Sequence, residues 1–393
     1  MKCLQIVPAY KPAYVYGGPI YSVSALCEEL IKAGHQVTVI TTTANGKSEL
    51  EVTPGKMYCV DGVDVLYFKR YTKDHTHFSP GLLGYLWKNI NDYDVVHIHS
   101  WWNLISLIAV IICAIKSKRP VLSPRGMLSE YTRGANHTFS KRIIQSLVGK
   151  PFLSKVKFHA TSLAEKEEIL RIYPKAAVAV IFNFVALPDY KGRSVASRES
   201  SQRENMLFLS RITPKKGLEL FFTSLKAIEW NFHLTIVGPY DPDYRTSLMD
   251  LSRSDGLENK ITWAEPVYGD QKYDLLAAND LLVLPSYNEN FANVIIEALA
   301  FGCPVLISDM VGLAPYIAEK NLGWVTKVDA EDITQKLNEQ HEDVDRKEWI
   351  RKNAPQIIQE DFKGENLVNS FIALYRSGRD DTSGQRDSDK NEI

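Results

Sequence analysis

The sequence predicts an α/β protein made of two doubly wound parallel-sheet domains. Short apolar runs closed by turn signals alternate with helical patterns through both halves of the chain. The length of 393 residues exceeds what one hydrophobic core organises and fits two domains with extensions. A polar stretch poor in large apolar groups, 189–205, falls between the halves and reads as their link.

The elements follow in order. Residues 2–8 read as a strand, and a loop containing Gly17-Gly18 follows. Pro19 suits a first helical turn, Ile20, Val23, Cys27, Leu30 and Ile31 recur at helical spacing, and Gly34 stops the helix. Further strands are expected at 36–41, 63–68, 95–99, 121–123 and 158–161, completing a domain over 1–188. The second domain, 206–360, repeats the alternation with strands at 206–209, 234–237, 261–263, 281–285 and 305–308. A closing helix over 361–376 carries Leu367, Val368, Phe371, Ile372 and Leu374, and the polar tail 377–393 is expected to be disordered. Two such domains predict a ligand cleft between them.

Hydrophobic content of 45% and charged content of 24% are those of a soluble globular protein. The longest apolar run, 104–115, is too short to span a bilayer. The chain opens on a strand pattern without a signal-peptide layout. Five cysteines at 3, 27, 59, 113 and 303 lack metal-ligand spacing and read as reduced thiols. A cytoplasmic protein is therefore expected. Its net charge of -1 conceals a basic first half and an acidic second half. Between 131 and 164 there are six basic residues and no acid, with Phe139, Ile143, Ile144, Leu147 and Val148 among them. Two readings stay open: a solvated basic face, or an amphipathic segment that meets anionic headgroups on the inner face of the membrane or a pyrophosphate-linked acceptor. No nucleic-acid motif accompanies the patch.

The chemistry concentrates after the strand expected at 281–285. Glu289 falls in the loop beyond that strand, where open α/β sheets bind ligands. Glu297 falls about one turn into the next helix, which Gly302 ends, and helical side chains lean toward the N-terminus. Two carboxylates facing a helix start suit a ligand with vicinal hydroxyls and a phosphate, which describes a nucleotide sugar. Upstream, Arg211 and Lys216 follow the strand at 206–209 and precede a helix beginning near Gly217. An arginine fork and a lysine point charge together offset a diphosphate. No Gly-x-Gly-x-x-Gly follows the first strand, and no P-loop signature is present.

With these residues in place the chain resembles a retaining glycosyltransferase of family 4, with the two-domain GT-B fold, over nearly its whole length. The resemblance rests on the Gly17-Gly18 loop, Arg211 with Lys216 and Gly217, the Glu289-x₇-Glu297 spacing and the Gly302-x-Pro304-Val turn. It implies that Glu297 binds ribose hydroxyls, that Glu289 faces the transferred sugar, and that Arg211 and Lys216 hold the diphosphate. It implies that backbone amides around Phe291, Ala292 and Asn293 approach the donor, and that Gly17 and Gly18 let the N-terminal backbone come close to it. It also implies a closing helix that crosses back to the N-terminal domain, retention at the anomeric carbon, and a departing phosphate that takes the acceptor's proton. No cofactor and no metal are expected; the donor, a UDP or GDP sugar, is a substrate, and the expected acceptor is a lipid-linked or growing surface glycan, or an oligosaccharide, with a soluble acceptor as the alternative. Two other classes stay open: a nucleotide-sugar epimerase on the same fold, and a non-catalytic nucleotide-sugar-binding protein.

Three positions depart from the family pattern. Ala292 stands where Glu-x-Phe-Gly members carry glycine, a change of little cost unless φ there is positive. Phe184 follows Asn183 where Asn-Gly is common. Arg125, in Ser-Pro-Arg-Gly, stands where a histidine is frequent; it cannot serve as a base and is expected to bind an anionic group such as an acceptor pyrophosphate. His97 and His99 share a strand face; His97 reads as a packed core residue and His99 as a ligand hydrogen-bond partner. Trp101 and Trp102 could stack on a sugar or lipid, or pack under a loop. Asp92-x-Asp94 and Asp241-x-Asp243 spell a manganese signature of another fold and are assigned to strand-flanking polarity. The segment 263–269 is expected to line the base pocket.

Overall fold

A computed structural model describes residues 1–134, 149–188 and 203–377. Most of the basic segment's apolar positions, all but the end of the 189–205 link, and nearly all of the 377–393 tail lie outside the described residues. The chain forms two compact units, Met1–Ala186 with Phe362–Ile393, and Leu187–Asp361.

The first unit contains β1 (Lys2–Ile6), β2 (Gln36–Thr42), a small hairpin of β3 (Ala44–Asn45) and β4 (Ser48–Glu49), β5 (Met57–Val60), β6 (Val63–Phe68), β7 (Val95–His99), β8 (Val121–Ser123), β9 (Lys157–Ala160) and β10 (Ala177–Val180). Its helices are α1 (Gly18–Lys32), α2 (Pro80–Asn89), α3 (Leu104–Ile115), α4 (Glu130–Gly134), α5 (Lys150–Leu153) and α6 (Leu163–Ile172). The eight-stranded sheet runs β10-β9-β8-β7-β1-β2-β6-β5. All its pairs are parallel except β5 with β6, joined through Asp61-Gly62, both at positive φ. Both faces are covered, so strand residues alternate between two cores. Leu4, Ile6, Ile98 and Leu122 pack with residues of α2 and α3; Cys3, Val37, Val39 and Val95 pack with residues of α1.

The second unit contains β11 (Glu204–Leu209), β12 (Phe232–Val237), β13 (Ile261–Ala264), β14 (Leu281–Leu284), β15 (Val305–Ser308) and β16 (Gly323–Thr326). Its helices are α7 (Leu218–Leu225), α8 (Pro242–Ser254), α9 (Gly269–Ala278), α10 (Asn293–Ala300), α11 (Ala314–Glu319), α12 (Ala330–Glu342) and α13 (Val344–Asp361). The all-parallel order β13-β12-β11-β14-β15-β16 is doubly wound, and it reverses direction between β11 and β14. Because β11 begins at Glu204, the last residues of the expected link belong to a strand. The chain then returns to the first unit as α14 (Gly364–Arg376), whose Leu367, Val368, Phe371 and Tyr375 join the core beside α1. No helix among the described residues is long and apolar enough to cross a membrane.

Candidate active site

The reversal between β11 and β14 leaves a crevice at their carboxyl ends, and the loops there are laced together. Tyr287 N donates to Lys215 O at 2.9 Å, joining the β14 loop to the β11 loop. Glu289 N donates to Met310 O at 3.0 Å and Gly312 N to Glu289 O at 2.8 Å, joining it to the β15 loop. Gly217 makes the close approach possible. It sits at φ +71, and a Cβ there would lie 2.2 Å from Pro285 O, so no other residue fits without moving the strand end.

The charges meet within this lacing. Lys216 ends a 3₁₀ turn over Pro214–Lys216, is buried, and pairs through Nζ with Glu289 Oε2. Burial pushes the Glu289 carboxyl up, but Lys216, backed by Lys215 and Arg211, pulls it further down, so it stays ionised. It can accept hydrogen bonds from hydroxyls and cannot act as a proton donor at neutral pH. Arg211 is exposed at the mouth of the β11 loop and acts on Glu289 through space.

α10 starts just past Glu289. No side chain caps it and no acid occupies its first turn, so its leading amides and its dipole remain available to an anion. By contrast, Asp241 caps α8 and Asp329 caps α12. Ala292 precedes α10 at φ +65, ψ +79. The condition attached to alanine here is met: φ is positive, the backbone keeps the left-handed conformation that glycine adopts freely, and the alanine costs about 1 kcal/mol or more. Phe291 is buried, leaving its backbone as the part that can meet a ligand, and Asn293 opens the helix. Glu297, one turn in, accepts from Lys272 Nζ of α9 at 2.7 Å. At the ends of β12 and β13, Arg245 lies over Tyr240 and Trp263 at 4.2 and 5.9 Å, and Glu265 Oε1 accepts from Tyr240 Oη at 3.2 Å.

The remaining expected site residues lie in the first unit, at the corresponding strand ends. Gly17 caps α1 at φ +70 and Gly18 begins it; open space surrounds both, and the helix has neither a side-chain cap nor an acid in its first turn. Arg125 follows β8 at φ +55. Its Nη1 donates to Ser22 Oγ at 3.0 Å and Asn183 Oδ1 at 3.1 Å, and its Nη2 to His99 Nδ1 at 3.3 Å. Its Nε–H finds no acceptor among the described residues. Burial lowers the guanidinium to about 10, so it remains a cation at neutral pH. The direct ligand bond expected of His99 is corrected. The ring is fully buried, with Nε2 on Gln5 Oε1 at 2.8 Å and Nδ1 on Arg125, so a ligand would reach it only through Arg125. His97 is also buried, its Nδ1 against Tyr375 Oη and its Nε2 against Ser123 Oγ. Trp101 packs fully buried against Trp102. One aspartate of each Asp-x-Asp pair serves the backbone: Asp94 accepts from Lys2 N, and Asp241 from Asp243 N and Tyr244 N. No group of three potential metal ligands occurs among the described residues.

Lys215 and Lys272 enter the site without having been expected. Lys215 had a signal, its place beside Lys216; nothing in the spacing of Lys272 ties it to Glu297.

Two doubly wound parallel-sheet units of this kind, each with an uncapped helix at its sheet reversal, fit the GT-B fold of glycosyltransferases. Family comparison gives the same class for both halves. The "Glycosyltransferase Family 4" model matches residues 16–187 and the "Glycosyl transferases group 1" model matches 193–357. The chain belongs to this family of glycosyltransferases. An uncharacterized glycosyltransferase of Methanocaldococcus jannaschii is 24% identical, over 96% of this chain and 98% of the relative. The D-inositol 3-phosphate glycosyltransferase of Paenarthrobacter aurescens is 23% identical, over 86% of this chain and 88% of the relative. Among solved structures, Anabaena HepE in complex with UDP-glucose superposes with a TM-score of 0.68 at 20% identity, covering 96% of this chain and all of that one. WaaG, a glycosyltransferase involved in lipopolysaccharide biosynthesis, superposes at 0.68 with 16% identity over 96% of this chain and all of that one. Three of these four are named as glycosyltransferases, and the fourth is a complex with UDP-glucose.

Proposed function

We propose that the protein moves a sugar from a nucleoside diphosphate sugar to a hydroxyl acceptor, with retention and without a metal or other cofactor. One observation carries the reading: Arg211, Lys216 and the ionised Glu289 converge at the β11–β14 reversal, beside the uncapped start of α10. The diphosphate rests on that helix start, with Arg211 and Lys216 on its oxygens. Lys216 then turns part of its charge from Glu289 to the phosphate as the leaving group gains charge. Glu289, freed of part of its ion pair, accepts hydrogen bonds from the sugar. Glu297 exchanges Lys272 for the ribose hydroxyls. Backbone amides from Phe291 to Asn293 complete the donor contacts, and in the first unit the Gly17-Gly18 turn leaves its backbone open to a ligand while Arg125 is offered to an anionic acceptor group. The bond that breaks joins the anomeric carbon to the phosphate oxygen; the acceptor oxygen takes its place on the same face, and its proton passes to the departing phosphate.

UDP-glucose is the first donor to test, because HepE is complexed with it. The acceptor is proposed to be a phosphate-bearing or lipid-linked glycan. Arg125 offers a cation bonded only to neutral groups, and the relatives include an enzyme of inositol phosphate and one of lipopolysaccharide biosynthesis. The protein is proposed to act in the cytoplasm, with the 131–164 segment touching the membrane's inner face where the acceptor is lipid-linked. Release of nucleoside diphosphate from UDP-glucose or GDP-mannose is the test. It is expected to depend on added acceptor and to persist in excess chelator. Release without acceptor, with the sugar isomerised, would favour an epimerase, and loss in chelator would overturn the metal-free reading.

A further inference from the structure

We infer that Tyr375, on the helix that returns from the second unit, positions Arg125 through a one-way relay of hydrogen bonds crossing the first unit's sheet. The participants lie on one face of adjacent strands. Gln5 of β1 stands opposite His97 of β7, and His99 of β7 stands opposite Ser123 of β8. His159 belongs to β9, Ile181 follows β10, and all six side chains from Gln5 to Tyr375 are buried.

With the histidines neutral, the direction of every bond follows from a fixed acceptor at one end, Ile181 O, and agrees with the fixed donor at the other, Arg125. Ile181 O lies 2.8 Å from His159 Nε2, and a carbonyl can only accept, so His159 carries its proton on Nε2. A neutral His159 then offers Nδ1 as an acceptor, 2.6 Å from Ser123 Oγ, and takes the single hydroxyl proton of Ser123. Ser123 Oγ must in turn accept from His97 Nε2, at 2.6 Å. His97 Nδ1 is thereby an acceptor, and Tyr375 Oη donates to it at 2.8 Å. With its own proton committed, Tyr375 accepts from Gln5 Nε2 at 3.4 Å. That fixes the Gln5 amide with Oε1 toward His99, which must donate from Nε2 at 2.8 Å. His99 Nδ1 is then left to accept from Arg125 Nη2 at 3.3 Å.

Taken as neutral, all three histidines carry the same tautomer. Their burial and the nearby cation push the same way, holding each well below the ordinary histidine value. The arrangement gives Arg125 an acceptor without neutralising it. Glu165, the carboxylate that acts on it most, is already taken by Gly126 N and by Thr161 N and Oγ1. Removing the Tyr375 hydroxyl would free the Gln5 amide to turn over. A turned amide presents NH₂ to His99, which must then move its proton to Nδ1 and confront the guanidinium with a second donor. Tyr375, His97, Ser123 and His159 touch no ligand in this account; they are positioning residues. Why the position matters rests on the proposed reading of Arg125 as an anion-binding group.

The test uses the full chain with ¹⁵N-labelled histidine and arginine side chains. At neutral pH, His97, His99 and His159 are expected to show the neutral pattern protonated at Nε2. Tyr375→Phe is expected to shift His99 toward the other tautomer and to change the Arg125 Nε signal. Val368→Ala, which trims the same helix at an apolar core position, should leave both signals as in the parent. If Tyr375→Phe does not fold, Ser123→Ala breaks the relay one bond further on and should release the His97 tautomer. A cationic or Nδ1-protonated histidine in the parent chain would overturn the relay, as would Tyr375→Phe and Ser123→Ala spectra that match the parent. Titration with inorganic pyrophosphate separates the two ideas. The relay stands with the expected tautomers whether or not pyrophosphate moves the Arg125 signal, whereas a signal that pyrophosphate never moves removes only the anion-binding reading.

Discussion

Both units place polar groups toward the carboxyl ends of their parallel strands, the second at its sheet reversal and the first one strand beyond its own, and they treat them oppositely. At the β11–β14 reversal, charge meets charge: Lys216 pairs with Glu289 and Lys272 with Glu297, while Arg211 stays exposed. Beside β7 and β8, one cation is surrounded by neutral acceptors, themselves held by neutral partners down to a backbone carbonyl. The first arrangement can exchange partners when a charged ligand arrives, because each ion has an alternative partner in the ligand. The second has few alternative arrangements, because each member's proton fixes the next. A site built to trade charges and a site built to hold one charge still are different physical objects, and their responses to mutation and pH should differ accordingly.

The largest effect is expected where charges are traded. Lys216→Ala or Arg211→Ala should lower transfer from the donor by about 10²–10³, or roughly 3–4 kcal/mol of barrier, while leaving the thermal midpoint of the first unit unchanged. Single-turnover rates check it, and parent-like rates in both variants would contradict the electrostatic account.

Acid should separate the units next. The relay histidines hold folded-state values below the ordinary one near 6.5, His159 at about 3. Above that ordinary value both states are neutral and nothing is lost. Below it the unfolded chain takes up protons that the folded chain refuses, so stability falls by about 1.4 kcal/mol per pH unit for each histidine. Three histidines predict a loss of about 4 kcal/mol on moving from pH 7.5 to 5.5. Glu289 behaves in the other sense. Its folded value is depressed, so its contribution is fully present above the ordinary glutamate range and fades only below about 4.5. Hydrogen exchange at pH 7.5 and 5.5 should therefore show the first unit loosening while the β11–β14 region keeps its protection. Equal loosening of both would mean that the two units answer acid alike.

The smallest effect concerns the backbone. Ala292→Gly relieves a left-handed alanine at φ +65 and should stabilise the second unit by up to about 1 kcal/mol, with the transfer rate little changed. A lowered thermal midpoint would mean that the alanine methyl makes contacts outweighing the strain.

Much of this was legible in the sequence, for physical reasons that also mark its limit. Strands buried on both faces are continuous apolar runs, and 63–68, 95–99, 121–123 and 305–308 match the observed strands. β5 went unread although Asp61-Gly62 is a hairpin turn, because Met57–Val60 is an edge strand with exposed alternate residues and no apolar run. Glu289, Lys216 and Arg211 could be brought together because a doubly wound sheet fixes where the loops after β11 and β14 go. Lys272 could not, since its meeting with Glu297 depends on how α9 packs on α10. The relay was hidden for the same reason. Gln5, Ser123, His159 and Tyr375 are far apart in the chain, and only the strand register and the docking of α14 make them neighbours. The direct role expected of His99 failed because alternation gives the face of a side chain but not what lies in front of it.

In the proposed reading the β11–β14 reversal holds a nucleoside diphosphate, with its phosphates on Arg211 and Lys216 and its ribose on Glu297. Calorimetric titration with UDP and with uridine, on the parent chain and on Lys216→Ala and Glu297→Ala, tests it most directly. Lys216→Ala is expected to weaken UDP at least tenfold and to leave uridine unchanged, whereas Glu297→Ala is expected to weaken both. UDP binding that neither substitution alters would contradict it.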